Sequence, residues 1–536
     1  MRRLKPLPAL TMAACLAVLS LPATAEESRE VTLRMKGGGF QVTGEIRAFD
    51  GTKYIVESPQ LGKLTLQAAR FECIGTACNA PVTQAAWTYE PLSPDRHETV
   101  VIRGSELTGQ QLMPALVRGY AATAGLSVVQ VIGTDPRQTK FRLVDSRGKE
   151  LAVIAIAQDD TVAGLGALER DAAAIAMTDR PASKEEADAL AAAGPKIKTA
   201  QNEHYIGNIG IAVIVSPDNP VSSLSIDVIA RIFSGQITDW YELGLPPGKI
   251  RIVTRDGTNE ATERFQAVAL KPRNVRLADG IERVAGEAEL ADTVARDRNA
   301  IGLVSFAFQR SAKLVPIEST CGLIQKPTPF ALKTGEYPFG HRLYFYSIAP
   351  PKQAAARGLL RFAVSPEAQP IMAEHQIAGS GVDSVGLAEQ SERMAHALNA
   401  QGEAFDLPSM RAMLADFKGA RRLSITFRFQ PGTLDLDRAS LVEITRLASL
   451  LMTPDYAGKR ILLAGFTDAN GEKFLANFTH SYKRSAQVRT ALLTASAQKI
   501  DHRLLQVKGY GPLAPVACND AEGARLNRRV EVWVAN

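Results

Sequence analysis

The stretch IGIAVIVSPDNPVSSLSIDVIARIFSGQITDW, residues 209–240, decides the architecture. Ile209 to Val215 reads as a strand, and a helical stretch separates it from the next strand candidate, Lys249 to Thr254. The same alternation extends in both directions. Upstream, the strand Thr99-Val100-Val101-Ile102-Arg103 runs through Gly104-Ser105 into a helix carrying Leu112, Leu116 and Tyr120, and Leu151 to Ala157 supplies another strand. Downstream, Ile301 to Phe306 continues the series. Strands alternating with helices from residue 98 to 375 predict a parallel α/β architecture.

On the N-terminal side the pattern changes. Residues 81–97 form a linker marked by Pro81, Pro91 and Pro94, and residues 26–80 are strand-like. Val31, Leu33 and Met35 alternate with polar neighbours, and further short strands follow, with Gly37-Gly38-Gly39 and Asp50-Gly51 as turns. This pattern predicts a small all-β domain resembling a barrel. Residues 1–25 read as a secretory signal: Arg2, Arg3 and Lys5 precede the apolar stretch Ala9 to Leu21, and Ala23-Thr24-Ala25 offers a cleavage site. The apolar stretch is shorter than the ~20 residues of a spanning helix. In an oxidising compartment Cys73 and Cys78, with Gly75 and Thr76 in the turn between them, form a local disulfide. Cys321 and Cys518 stay open as free thiols or an interdomain pair.

The chain has 536 residues, enough for three or four folded units at ~150 residues each. Its 46% hydrophobic and 22% charged residues are those of a globular protein. The formal charge of +6 falls to +3 once Arg2, Arg3 and Lys5 leave with the signal, which argues against a nucleic-acid partner. Past 375, residues 376–422 read as a connector with a helix at Gln390 to Asn399. Residues 423–536 read as a compact α+β domain, from the strand Ser424 to Phe429 to the strand Arg529 to Val534.

Within that last domain, Phe466-Thr467-Asp468-Ala469-Asn470-Gly471 follows a strand, Asn477 comes next, and Ser481-Tyr482-Lys483-Arg484-Ser485-Ala486-Gln487-Val488 opens a helix. Gly509-Tyr510-Gly511 and Asn527-Arg528-Arg529-Val530-Glu531-Val532 follow. In this order the elements resemble the OmpA-like peptidoglycan-binding domain over nearly all of 423–536. The resemblance implies a partner, the free end of the diaminopimelate side chain in the stem peptide. Asp468 would take its ammonium and Arg484 its carboxylate, the latter as a planar bidentate pair. Thr467 and Asn477 complete the expected site. Phe466 stands where the family often has His, and one extra residue separates Gly471 from Arg484.

The middle region carries Ile102-Arg103-Gly104-Ser105, Ala174-Ile175-Ala176-Met177-Thr178-Asp179-Arg180, the quoted stretch, Arg255 and Tyr337-Pro338. These resemble the phosphate-type substrate-binding proteins of ABC importers, a two-lobed periplasmic α/β fold. The resemblance implies an oxyanion held by hydroxyls, backbone N–H groups and an Arg, with an Asp accepting the ligand's proton. By position Ser105, Asp179, Arg255 and Thr258 fill those roles. Where the family reads Ser-Gly-Thr, this chain has Asn259-Glu260-Ala261, and Glu106 lies in the first loop. A carboxylate within ~4–6 Å of a bound dianion is unfavourable without a compensating cation. Phosphate, another small ligand and a lost site all remain open.

Enzyme motifs are absent: His97, His204, His341, His375, His396, His480 and His502 are dispersed, and there is no G-x-S-x-G or P-loop. No cofactor or metal is expected. Two readings result. One is a periplasmic solute-binding protein, anchored to the wall, that takes phosphate or another small anion. The other is an envelope scaffold whose binding-protein fold docks a protein partner. A wall-fixed protein cannot diffuse freely to a permease, which disfavours a standard importer component.

Overall fold

The computed structural model describes residues 30–36, 41–49, 53–58, 62–67, 70–75, 78, 92–93, 97–135, 137–193, 202–256, 260–348, 350–399, 406–469 and 474–535. The expected signal at 1–25 and most of the linker at 81–97 lie outside them. The chain divides into two compact units, residues 1–86 and 87–536.

In the first unit the alternating strands form one antiparallel sheet in the order Gly62–Gln67, Lys53–Ser58, Gln41–Phe49, Glu30–Met35, Phe71–Ile74. Period-two alternation puts Val31, Leu33, Val42, Val56 and Phe71 on one buried face. The last two strands in sequence lie at opposite edges, although only residues 68–70 connect them. A flat sheet of five strands would be ~19 Å across, beyond the reach of about 14 Å for that connection. The sheet must therefore curl toward a barrel, although among the described residues its edges do not pair. Cys73 and Cys78 are joined in a disulfide, with Cα atoms 5.7 Å apart.

In the second unit the alternating region forms two lobes. The first is a sheet in which Glu98–Ser105 lies parallel to both Glu150–Asp159 and Ile175–Thr178. Helices pack on it around Ile102, Leu116, Ile154 and Ile156. The second lobe has Arg251–Arg255 parallel to Ala300–Ser305 and Glu282–Val284, with Val213, Phe233, Trp240 and Phe265 in its core. The expected parallel α/β architecture holds for these strands but not for the whole sheet. Ser127–Ile132, Gln138–Val144 and Glu150–Asp159 run antiparallel, because short connections rather than helical crossovers join them. Glu203–Val215 and Gly340–Tyr346 also run antiparallel to their neighbours. Residues 203–210 of the first strand pair with 340–346, and residues 211–215 pair with 301–305. One continuous strand therefore belongs to both lobes and forms the hinge.

The C-terminal sheet has the order Ser384–Gly386, Arg421–Arg428, Arg529–Ala535, Arg460–Phe466, Leu505–Gly509. Helices Arg438–Leu451 and Phe474–Ala495 cover one face through Ile444, Leu447, Val488 and Leu492. The other face, with Phe466 and Trp533, is covered by Ser391–Leu398 and Leu407–Phe417, where Phe417 stacks on Trp533 at 4.0 Å. Residues 376–422 thus supply a strand and two helices to this layer. Gly465 is required by the close approach of a helix: a Cβ there would sit 2.1 Å from the Ser481 carbonyl.

This sheet is fastened to the lobes by charge and by covalent bonding. Glu531 is fully buried and accepts from Arg393 Nη2 at 2.7 Å, Arg529 Nη2 at 2.6 Å and Trp533 Nε1 at 3.0 Å. Arg422, also buried, lies 3.2 Å from Glu531 and pairs on its other side with Glu336 of the second lobe. A disulfide joins Cys321 of that lobe to Cys518. Arg438 reaches Glu203 at 2.5 Å on the hinge strand.

Burial alone would push the Glu531 carboxyl up, but the charges of Arg393, Arg422 and Arg529 hold it well below the usual range. Glu531→Gln leaves these buried cations around a neutral group, and a denaturant titration should show a loss of about 3–5 kcal/mol. A carboxyl held low contributes fully above its unfolded value, near 4.5, and loses that contribution as the pH falls further. The wild type should therefore weaken in acid more steeply than the Gln variant.

Candidate functional site

The hinge brings the carboxyl ends of strands from both lobes to a single cleft of about 460 Å³, lined by Glu106, Gln110, Gln111, Arg255, Glu287 and Ser305 among others. Such crevices at strand ends are where open α/β sheets bind ligands. Ser105 ends the strand Glu98–Ser105 and is fully buried. The residue before it must be glycine. Gly104 has φ +127°, and a Cβ would lie 2.2 Å from the Met177 carbonyl. This approach seats the strand against Ile175–Thr178, whose end carries Asp179.

The Ser105 hydroxyl faces Thr108 locally, with Oγ 3.3 Å from Thr108 Oγ1. Asp179 accepts a hydrogen bond from the Thr161 hydroxyl, and its backbone N–H donates to Thr161 Oγ1 at 3.2 Å. Thr161 opens a helix capped by Asp160, which accepts from the Ala163 N–H at 2.7 Å. Arg255 ends the strand Arg251–Arg255 in the other lobe. Its Nη2 donates to Glu106 Oε1 at 2.6 Å, across the cleft. Thr258 lies outside the described residues.

The structure places Arg255 and Glu106, the neighbour of Ser105, on the lining of one cleft, whereas Ser105 itself is fully buried and neither it nor Asp179 belongs to that lining. The cation that Glu106 needs is Arg255 itself. The sequence reading did not single out Glu287, which borders the same cleft. It accepts from the Ser305 N–H at 3.2 Å and the Ser305 hydroxyl at 2.9 Å, and burial pushes its carboxyl up. An acidic residue followed by Ala288-Glu289-Leu290 reads as the start of an ordinary amphipathic helix, so its sequence held no signal. Chemically the cleft offers a guanidinium for an oxyanion, beside carboxylates that a dianion must displace or meet in protonated form.

In the C-terminal sheet, Thr467 and Asp468 follow the strand Arg460–Phe466. The Thr467 N–H donates to the Gly511 carbonyl at 2.8 Å. Asp468 is nearly buried and pairs with Arg528 Nη1 at 2.5 Å. Arg484 lies on the helix Phe474–Ala495 with its guanidinium 5.6 Å from the centre of the Phe429 ring, and Asn477 is buried on the first turns of that helix. The Asp468–Arg528 pair was not foreseen, although Asn527-Arg528-Arg529 was in view. Among the described residues no cluster of His, Cys, Asp and Glu could hold a metal ion, and no helix is long and apolar enough to cross a membrane.

Comparisons with known proteins bear on the middle of the chain. A family model for the PBP superfamily domain matches residues 121–367. The phosphate-binding protein PstS of Bacillus subtilis (strain 168) is 31% identical over 141 residues, 25% of this chain and 43% of that protein. The chain thus aligns with under half the length of this curated relative. An ABC-type phosphate transport receptor from Vibrio cholerae is similar with a TM-score of 0.39 and 19% identity, covering 52% of this chain and 98% of that one. A substrate-binding protein of a putative phosphate ABC transporter from Clostridium perfringens, solved with bound phosphate, gives 0.39 and 23%, covering 53% and 100%. The middle of the chain is a two-lobed, periplasmic-binding-protein-like α/β domain similar to phosphate-binding proteins.

Glu106→Gln removes the carboxylate that occupies Arg255. In a calorimetric titration with phosphate the variant should bind at least about tenfold more tightly than the wild type, or ~1.4 kcal/mol.

Proposed function

We propose that this chain is an exported, periplasmic envelope protein. It captures a small oxyanion, phosphate or one of similar chemistry, between its lobes, and it holds peptidoglycan through its C-terminal domain, residues 423–536. The observation that carries the first half is the ion pair between Glu106 and Arg255. A carboxylate from one lobe already sits on a guanidinium from the other, so the cleft is chemically suited to an oxyanion. Glu106 acts as an internal competitor, and a ligand must displace it. Ser105 and Asp179 end adjacent strands of the first lobe, and in this reading they supply the hydroxyl and the proton acceptor once released from Thr108 and Thr161. The likeness to phosphate-binding proteins supports the same reading.

The peptidoglycan half rests on Asp468, Arg484, Thr467 and Asn477, whose order along the chain resembles the OmpA-like domain. In this reading Arg528 holds the Asp468 carboxylate oriented until the ammonium of diaminopimelate replaces it. The scaffold reading is favoured by one observation, that Glu106 satisfies Arg255 without any ligand. In that case the lobes dock an envelope protein and bind no anion.

Two measurements decide between these readings. In the first, phosphate at a hundredfold excess over its dissociation constant should stabilise the full-length protein by ~2.7 kcal/mol, and Arg255→Ala should abolish the effect. A flat response to phosphate, sulfate and small carboxylates in the wild type and in Glu106→Gln favours the scaffold. In the second, the wild type should co-sediment with purified peptidoglycan, while Asp468→Ala and Arg484→Ala stay in the supernatant. Unchanged sedimentation of both variants refutes the wall assignment.

A further inference from the structure

One carboxyl of the cleft, that of Glu287, has no part in the capture described above. Glu287 is the first residue of the helix Glu287–Arg296, is only 9% exposed, and lines the cleft together with Arg255 and Glu106. Its two oxygens have different surroundings. Oε1 accepts from the Ser305 N–H at 3.2 Å and from the Ser305 hydroxyl at 2.9 Å. Oε2 is buried and has no hydrogen-bond partner among the described residues. A buried oxygen without a partner costs far more charged than neutral. In the neutral acid the oxygen that accepts both bonds is the carbonyl, and the proton sits on Oε2.

The charges around Glu287 agree with a neutral acid. Burial pushes its carboxyl up, against the hydrogen bonds from Ser305 and the charge of Arg255, and the charge of Glu106 acts in the same direction as burial. The elements packed on this helix bring no other cation to it. Residues 211–215 and 300–308 carry no charged side chain. Arg251 is engaged by Glu282 at 2.5 Å and Asp297 at 2.7 Å, while Asp256 and Arg283 are exposed. On its own helix, Glu289 accepts from the Ala285 N–H at 3.3 Å and Asp292 takes Arg310 at 2.6 Å. Gly286, just before the helix, has no side chain to accept from the first turn, and Gly286, Glu287 and Ala288 all line the cleft. A helix N-terminus of this kind favours an anion beside it.

Building on the oxyanion reading of the cleft, on which this inference rests, we propose that Glu287, as the neutral acid, donates a hydrogen bond from Oε2 to the anion that displaces Glu106 from Arg255. The cleft is then a proton-linked receptor for an oxyanion that offers an unprotonated oxygen, and it releases that anion as the pH rises. The ionised form of Glu287 would set a second carboxylate beside Glu106 against the ligand. A carboxyl held above its ordinary range stays neutral to a higher pH than an exposed glutamate, and the donated bond is lost as the pH passes the raised value.

The test is calorimetric titration of the full-length wild type and of Glu287→Gln with sulfate and, separately, with phosphate, at pH 5 and at pH 9. The Gln amide oxygen can accept from Ser305 while its NH2 donates at every pH. Ionisation of the ligand and of Glu106 is common to both proteins and cancels in the ratio of their dissociation constants. That ratio, wild type over variant, should rise at least about tenfold from pH 5 to pH 9, as expected for one hydrogen bond to a charged group. Sulfate keeps its charge over this range, so the wild type alone should also lose affinity for it. A ratio that stays flat or falls while either anion binds, or a flat wild-type profile with sulfate, overturns the role of Glu287 and leaves the oxyanion reading standing. Binding of neither anion to either protein at either pH overturns both.

Discussion

Glu531 is the group on which the second unit depends. A lone carboxylate in a protein core is prohibitively costly, and so is a lone guanidinium. Here one carboxylate lies among Arg393, Arg422 and Arg529, and Arg422 extends the network to Glu336 in the second lobe. Each member is tolerable only because the others are present. The C-terminal sheet therefore cannot detach from the lobes without exposing or stranding buried charge, and the lobes cannot replace it with water at little cost. The network turns what the sequence presents as successive modules into a single body.

That body contains a hinge, and the two facts pull against each other. The strand Glu203–Val215 passes from one lobe to the other, and Glu106 with Arg255 closes the mouth between them. The C-terminal sheet grips the second lobe through Cys518 and Arg422 and the hinge strand itself through Arg438. Lobe rotation is limited to what these contacts permit. The Glu106–Arg255 ion pair spans the cleft that such a rotation would open.

The two-lobed fold was legible because it is written in local pattern: apolar runs such as Ile211 to Val215 are separated by helical stretches, and Gly104 stands where two strands approach closely. The antiparallel course of Ser127–Val144 was not legible, since pattern shows that strands exist and says little about their direction. In the cleft, Arg255 could be named from its neighbours in sequence, but the Glu106–Arg255 pair joins residues far apart in the chain. Glu287 carried no signal at all. The buried charge network left a trace that went unused. Arg529, Glu531 and Trp533 occupy every second position of a strand and so share one face, a pattern that an exposed face would also produce. Only the covering helix with Phe417 shows that this face is inside.

The Cys321–Cys518 bond closes a loop of chain with a sequence separation of 197, and both the hinge strand Gly340–Tyr346 and four of the five strands of the C-terminal sheet lie within it. Any pull applied at the Asp468 end reaches the second lobe by two covalent routes in parallel, one through the polypeptide and one through sulfur. Mechanical load is shared between them, so the returning hinge strand does not carry it alone. A molecule tethered at this end would keep its cleft geometry under tension that would draw a singly connected chain out of register.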